Sequence, residues 1–510
     1  MGGREHVQGR RPGALGGGYR ALLHPHLGRR FHPAHRAGVG RRPVQQTGGC
    51  ALQHLASTPL RQSFFRTEGR AAVVFRLPRR AIRAKIAASN PTLAGGVRMT
   101  QVNEAKAFVE PSGEKERAGL GAWKVARTPY DHFMAAQDLP IYRGLGMYDI
   151  REIPKSPWKR MGGLGSFIQL DGTDGKLGMY AWELPPRSES TVERHLYEEV
   201  YYVFEGRGAT EVWREGSDRK HTFEWQAGSL FAIPVNTNHR IINASSGPVV
   251  LVGGTTAPPI FNLFDNQQFI FDSDFAFNDR FDDSDDYFRP QDSIVADPLH
   301  ERAMRVTNLI PDMATCELPL DNQRSPGYRR VIPQMANGRF YTFVGEHHSG
   351  RYSMAHHPPG PGSVVLICIN GSGYTLAWPQ SATIRPWETG NGESVMRQDY
   401  RPGGMVVNNP GGTGWFHMHH STGKQPLRLL VFGGIPQGVG IQLRRQGETE
   451  VSGNLPIEMG GRSITYQAED PFIREEYKRM LAVEGVEFDM PDWAYTGEVP
   501  TGHTLEISGP

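Results

Sequence analysis

The sequence predicts an all-β protein built as two tandem barrels, closed by a short C-terminal helix. Three observations lead there. From Tyr148 onward, Tyr, Val, Phe, Ile and Trp recur between Gly, Pro and Asn at a spacing of about eight to twelve residues, the mark of many short strands. The pattern occurs twice: EEVYYVFEGRGATEVW with GSLFAIPVNTNHRIINASSGPVVLVGG, then GSVVLICINGSGYTLAWP with GGMVVNNPGGTGWFHMHHSTGKQPLRLLVFGG. Its turn glycines, Gly206 and Gly371, lie 165 residues apart, a period that means a duplicated domain and not a solenoid of small units.

The elements follow in chain order. Residues 1–98 carry 18 Lys and Arg against 2 acids, and no sustained helical or strand period. They read as a disordered or mis-annotated Arg-rich extension, with Met99 as the expected start. A transit peptide and a nucleic-acid-binding arm are the rivals. The remainder holds 38 basic and 51 acidic residues, so the folded part is mildly acidic. Residues 99–159 form an N-terminal arm, 160–275 the first barrel, 276–300 a linker and 301–440 the second barrel. The stretch FDSDFAFNDRFDDSDDYFRP at 271–290 is acidic and aromatic together, and reads as a crossover whose rings pack while its acids face water. A calcium loop there lacks a helix–loop–helix context and a Glu at the twelfth loop position. In the tail, 441–510, Asp470 is an N-cap candidate and Pro471 suits the first turn of a helix at about 470–484. Phe472, Ile473, Tyr477, Met480 and Leu481 share one face of it, which suits docking on a barrel or a second subunit.

Three cysteines, Cys50, Cys316 and Cys368, make no disulfide framework, so a reducing compartment is expected. No apolar run reaches the length of a membrane span. The expected protein is cytoplasmic, with a small-molecule substrate and neither nucleic acid nor membrane as partner.

Chemistry concentrates in polar donors within the strands. Side chains two apart on a strand share a face, so Glu193, His195, Tyr197 and Glu199 can point one way, and His239 can meet them from a second strand. Buried carboxylates beside a histidine need a compensating charge, and a divalent cation is the economical source. Tyr197 is the candidate proton donor on that face. In the second copy, His417 and His419 share a face and His420 points away. Of the adjacent His356 and His357, at most one points inward unless the backbone is irregular before PPGPG.

These residues resemble the cupin superfamily. Glu193-x-His195, Glu199 and Gly206 occupy its first motif, and Gly228, Pro234, His239 and Asn243 its second, with Asn236 at the middle glycine position. The resemblance covers about residues 160–435 and implies a double-stranded β-helix, or jelly roll, for each half: a bicupin. Glu193 departs from the family's usual histidine. In the second copy the glutamate position falls on Val364, and the run Gly404, Pro410, His417 holds two extra residues. The resemblance implies metal ligands His195, Glu199, His239 and Glu193 in the first half, and His356, His357, His417 and His419 in the second. It also implies a homo-oligomer. Fe(II) is the expected metal, with Mn(II), Ni(II) or Zn(II) as alternatives, and the expected activity is oxygenation of a small chelating aromatic or enolisable substrate. The alternatives are a metal-dependent decarboxylase, lyase or isomerase, and a non-enzymatic ligand-binding bicupin.

Overall fold

A computed structural model describes residues 128–173, 175–296, 302–322, 324–357, 362–411, 414–435 and 456–497, with short strands at 100–101, 106–108, 115–116 and 124–125. The Arg-rich segment 1–98, with its expected start at Met99, lies outside the described residues.

Four main sheets form. In the first half, a nine-stranded sheet is centred on Glu199–Glu205, Val249–Thr255 and Gly178–Leu184, and faces a four-stranded sheet of Ser188–Glu189, Asn238–Asn243, Arg207–Trp213 and His221–Gln226. Trp182, Tyr201 and Phe231 from the larger sheet meet Val212, Phe223, Trp225 and Ile241 from the smaller. In the second half, an eight-stranded sheet centred on Tyr341–His347, Leu427–Gly434 and Val365–Asn370 accompanies a six-stranded sheet containing Gly373–Pro379, Trp415–Ser421 and Ala355–His356.

The expected closed jelly-roll barrels do not form. Each sheet is open, with an edge strand at either end. Closure requires the first and last strands to pair. Here additional strands take those edges. Leu309–Ile310, from beyond the crossover, pairs with Leu230–Ile233 of the first half, and Gly146–Met147, from before the first half, pairs with Met405–Val407 of the second. The second half thus lends a strand to the first half's sheet, and the N-terminal arm lends one to the second's.

The strand period positions the layers. Along Glu199–Glu205, Tyr201 and Val203 face the four-stranded sheet, while Val200 and Tyr202 pack with Val344, Val365, Ile367, Leu430 and Phe432 of the second half. The nine-stranded sheet is apolar on both faces, so the halves share a core. The repeated turn glycines have one reason. Gly206 and Gly371 sit at φ +87 and +79, and a Cβ at either would lie 2.5 or 2.4 Å from Val249 Cγ1 or the Pro426 carbonyl oxygen.

In the crossover, Phe281 and Phe288 are buried in the first core, with Phe288 stacked on Phe223 at 4.1 Å. Its acids turn to basic partners: Asp283 accepts from His221 Nε2 at 2.7 Å and Asp285 pairs with Arg219 at 2.5 Å. Four further α-helices among the described residues, Pro129–Ala136, Ala257–Phe264, Gln267–Asp272 and Trp493–Thr496, lie outside the elements expected from the sequence. Cys316 and Cys368 are free thiols, Cys368 in the core.

The C-terminal helix spans Pro471–Glu484, ends at Gly485 and buries Ile473, Tyr477 and Leu481 against Tyr374, Trp378, Phe416 and Met418 of the six-stranded sheet. It therefore docks on its own chain. Asp470 accepts from Phe472 N at 3.0 Å, Trp387 N at 2.8 Å and Glu388 N at 3.0 Å, tying the helix start to a loop of the second half. Beside it, buried Glu469 accepts from the Tyr352 hydroxyl at 2.5 Å. Burial pushes its carboxyl up to about 7, against the opposing pull of Tyr352 and Arg474.

Two predictions follow from this docking. Asp470→Ala orphans three backbone donors and lowers stability by on the order of 3 kcal/mol, read as a shift in denaturant midpoint. The folded pKa of Glu469 exceeds its unfolded value, so its contribution is fully present at pH below about 4.5 and lost as pH rises to about 7. Glu469→Gln flattens the stability–pH curve across that window; an unchanged slope contradicts the assignment.

Candidate metal centre

His195, Glu199 and His239 each present a ligating atom within 4.8 Å of the others, all three buried. Glu199 opens the strand Glu199–Glu205, and His239 lies on Asn238–Asn243 in the facing sheet. Glu193 and His239 form an isolated antiparallel bridge, exchanging both backbone hydrogen bonds at 2.9 Å, so the loop carrying Glu193 and His195 is pinned to the His239 strand.

The tautomers follow from the hydrogen bonds. His195 Nδ1 donates to the Tyr197 carbonyl at 2.8 Å, and His239 Nδ1 lies 3.4 Å from the Thr237 carbonyl. In a neutral imidazole that leaves Nε2 as a bare lone pair. Both Nε2 atoms aim at the same carboxylate oxygen, Glu199 Oε2, at 3.3 and 3.5 Å. Lone pairs converging on an anionic oxygen repel unless positive charge lies among them, so the donor set suits a cation. Burial by itself raises the Glu199 carboxyl; positive charge on His195 and His239, when protonated, outweighs it and holds the group well below the usual carboxylate range, the part a cation would take between neutral rings.

Glu193 stands apart from this trio. It is buried and ion-paired with Arg160, whose guanidinium also covers the Phe271 ring at 3.7 Å. Burial pushes its carboxyl up, and Arg160, His195 and His239 pull it partly back. The Tyr197 ring lies flat on His195, 3.7 Å between centroids and 4° between planes, with Phe261 and Phe271 beyond it. Burial drives its phenol far above the ordinary range.

In the second half, His356, His417 and His419 form a similar buried trio. His356 and His417 are directly paired across their strands, and His356 Nδ1 donates to the Met354 carbonyl at 2.9 Å. His419 Nδ1 meets the Tyr400 hydroxyl at 2.7 Å. The Asn408 amide nitrogen donates to His417 Nε2 at 3.1 Å, which places the ring hydrogen of a neutral imidazole on Nδ1, a buried donor with no hydrogen-bond partner. Burial lowers all three imidazoles, His417 to about 3, with the charge of Arg324 adding to it at His417 and His356 and the neighbouring His417 ring at His419, which favours the neutral rings. Among the described residues no carboxylate joins this trio. His357 turns away, its Nδ1 on the Trp415 carbonyl at 3.1 Å and its ring on Phe416. His420 points the other way, stacked between Tyr352 and Tyr374.

Several residues here had escaped the sequence reading. Tyr180 donates to Glu199 Oε1, and its oxygen meets the Tyr201 hydroxyl at 2.6 Å. Tyr201, two residues after Glu199, was legible from the strand period. Tyr180, Arg160, Tyr400 and Asn408 arrive from other elements and left no local signal.

Residues 180–253 match the family profile described as Cupin domain, a span that includes all three donors of the first trio. No curated protein matches the chain. Solved structures similar to it include a mutant of Bacillus subtilis oxalate decarboxylase OxdC (12% identity, TM-score 0.36, covering 57% of this chain and 77% of that one). The Lactobacillus farciminis oxalate decarboxylase formate complex is another (11% identity, TM-score 0.36, 57% of this chain and 86% of that one). The structures named here are oxalate decarboxylases. The expected oxygenase is cut back to what the donors carry, two buried trios able to hold a metal ion. The dioxygenase and oxidoreductase assignments are withdrawn with it. So is Fe(II), whose choice had rested on O2 activation and not on the donors.

The first trio's support is sterically tight. A Cβ on Gly253 would lie 2.4 Å from the Tyr180 ring. Gly253→Ala costs about 1–3 kcal/mol by overpacking, checked by thermal or chemical denaturation.

Proposed function

We propose that the chain is a metal-dependent lyase, most simply a decarboxylase of a small carboxylic acid, working at the His195, Glu199 and His239 centre. The observation that carries this reading is the convergence of two bare imidazole nitrogens on one buried carboxylate oxygen. Such a mixed nitrogen and oxygen set suits Mn(II), with Zn(II) and Ni(II) as alternatives. The second trio, His356, His417 and His419, is proposed as a weaker site for the same class of ion, because no carboxylate offsets the cation's charge.

A cation held by these residues would supply Lewis-acid polarisation of a substrate oxygen. The chain's own groups do the rest. Arg160, part exposed beside the centre, is placed to orient a substrate carboxylate by charge-assisted hydrogen bonds. Loss of CO2 breaks a carbon–carbon bond and leaves the electron pair on the substrate carbon. Glu193, ion-paired with Arg160 and raised by burial, takes up a proton from solvent as Arg160 turns to the substrate carboxylate, and delivers it to that carbon. Tyr197 serves the centre as a positioning residue, its ring and carbonyl both fixing His195. The burial of all three donors restricts the substrate to a small molecule.

The test begins with metal analysis of the full chain, then CO2 release from a panel of small dicarboxylic and 2-oxo acids. His195→Ala and His239→Ala lose the first-site metal. Glu193→Gln keeps it and loses about 100-fold or more in turnover. Stoichiometric O2 uptake, or full activity in Glu193→Gln, refutes this reading.

A further inference from the structure

The Glu199 carboxylate has two oxygens with different surroundings. Oε2 faces His195 and His239, whereas Oε1 accepts a hydrogen bond from the Tyr180 hydroxyl. A phenol has one hydrogen to give. With Tyr180 donating to Glu199, the 2.6 Å contact between the two hydroxyls must be Tyr201 donating to Tyr180. The bonds run one way, from Tyr201 through Tyr180 to Glu199.

Three adjacent strands build this chain in one row. Gly253 is the register partner of Tyr180 on one side and of Tyr201 on the other. A side chain at 253 would occupy the space in which the two phenols meet, since its Cβ would sit 2.4 Å from Tyr180 Cζ. Trp158 packs edge-on against Tyr180 at 5.0 Å, and Trp182 and Phe231 flank Tyr201 at 6.3 and 5.3 Å. Both phenols are buried, and each has one hydrogen to donate.

We infer that Tyr180 and Tyr201 are positioning residues for the metal centre. Together they occupy Glu199 Oε1 and so reserve Oε2 as the single carboxylate atom offered to a cation. This inference rests on the metal-centre reading above and deepens it. A carboxylate held by one oxygen cannot swing to bind through both, and a hydrogen bond to the other oxygen draws charge from the ligating one. Outer partners of this kind typically change metal affinity by about 10- to 100-fold.

Calorimetric titration of Mn(II) into the metal-free full chain, with the visible spectrum of the Co(II)-substituted protein, tests it. Tyr180→Phe keeps the ring and removes only the hydroxyl. Its expected affinity for Mn(II) falls about tenfold or more, and its Co(II) spectrum shifts as Oε1 is released. Tyr201→Phe, one bond further out, gives a smaller fall in the same direction, and stands as the second reading should Tyr180→Phe fold poorly. Affinity and spectrum equal to the unsubstituted chain in both variants, or tighter binding, overturns the inference while leaving the metal centre standing. Absence of binding to the unsubstituted chain removes the metal centre and the inference together.

Discussion

A carboxylate withdrawn from water must be compensated, and Glu199 imposes that condition on everything around it. It lies between two sheets of a largely apolar core, where an isolated ion would cost many kcal/mol. Each neighbour answers part of the demand. Two imidazoles aim at one oxygen and a phenol donates to the other. Glu193, close by, has its own cation in Arg160 and so adds no second uncompensated charge. The geometry of the centre is the geometry of that compensation.

The layered fold makes the arrangement rigid. The sheet carrying Glu199 is buried on both faces, one against the strand of His239 and one against the second half. A shift of the Glu199 strand would disturb two cores at once. The strand Leu309–Ile310 adds backbone hydrogen bonds across the same boundary, and Gly146–Met147 of the N-terminal arm adds more to the second half. Among the described residues the two halves share one core cluster, so neither is independent of the other.

The two trios show how the same strand geometry diverges once a carboxylate is lost. Where the first half has Glu199, the second has Val364, half-buried among apolar side chains. Its histidines remain converged, but they are neutral and bonded to Met354, Tyr400 and Asn408. The first centre holds its donors by charge; the second holds them by neutral hydrogen bonds.

Much of this was local and therefore legible. The spacing of donors marked out His195, Glu199 and His239, although the expected strand through Glu193, His195 and Tyr197 is a loop and only Glu199 and His239 lie on strands. Along Trp415–Ser421 the period of two put His420 opposite His417 and His419. The N-cap and apolar face of the last helix were equally plain at Asp470, Pro471, Ile473, Tyr477 and Leu481. Tertiary structure alone decided the rest. Whether a row of strands closes on itself depends on which distant segments reach its edges, and Leu309–Ile310 and Gly146–Met147 left the sheets open. Whether Glu193 joins a metal or an ion pair depends on Arg160, thirty-three positions earlier. Spacing along a strand dictates which face a side chain takes, but what it meets there is supplied by chain remote in sequence.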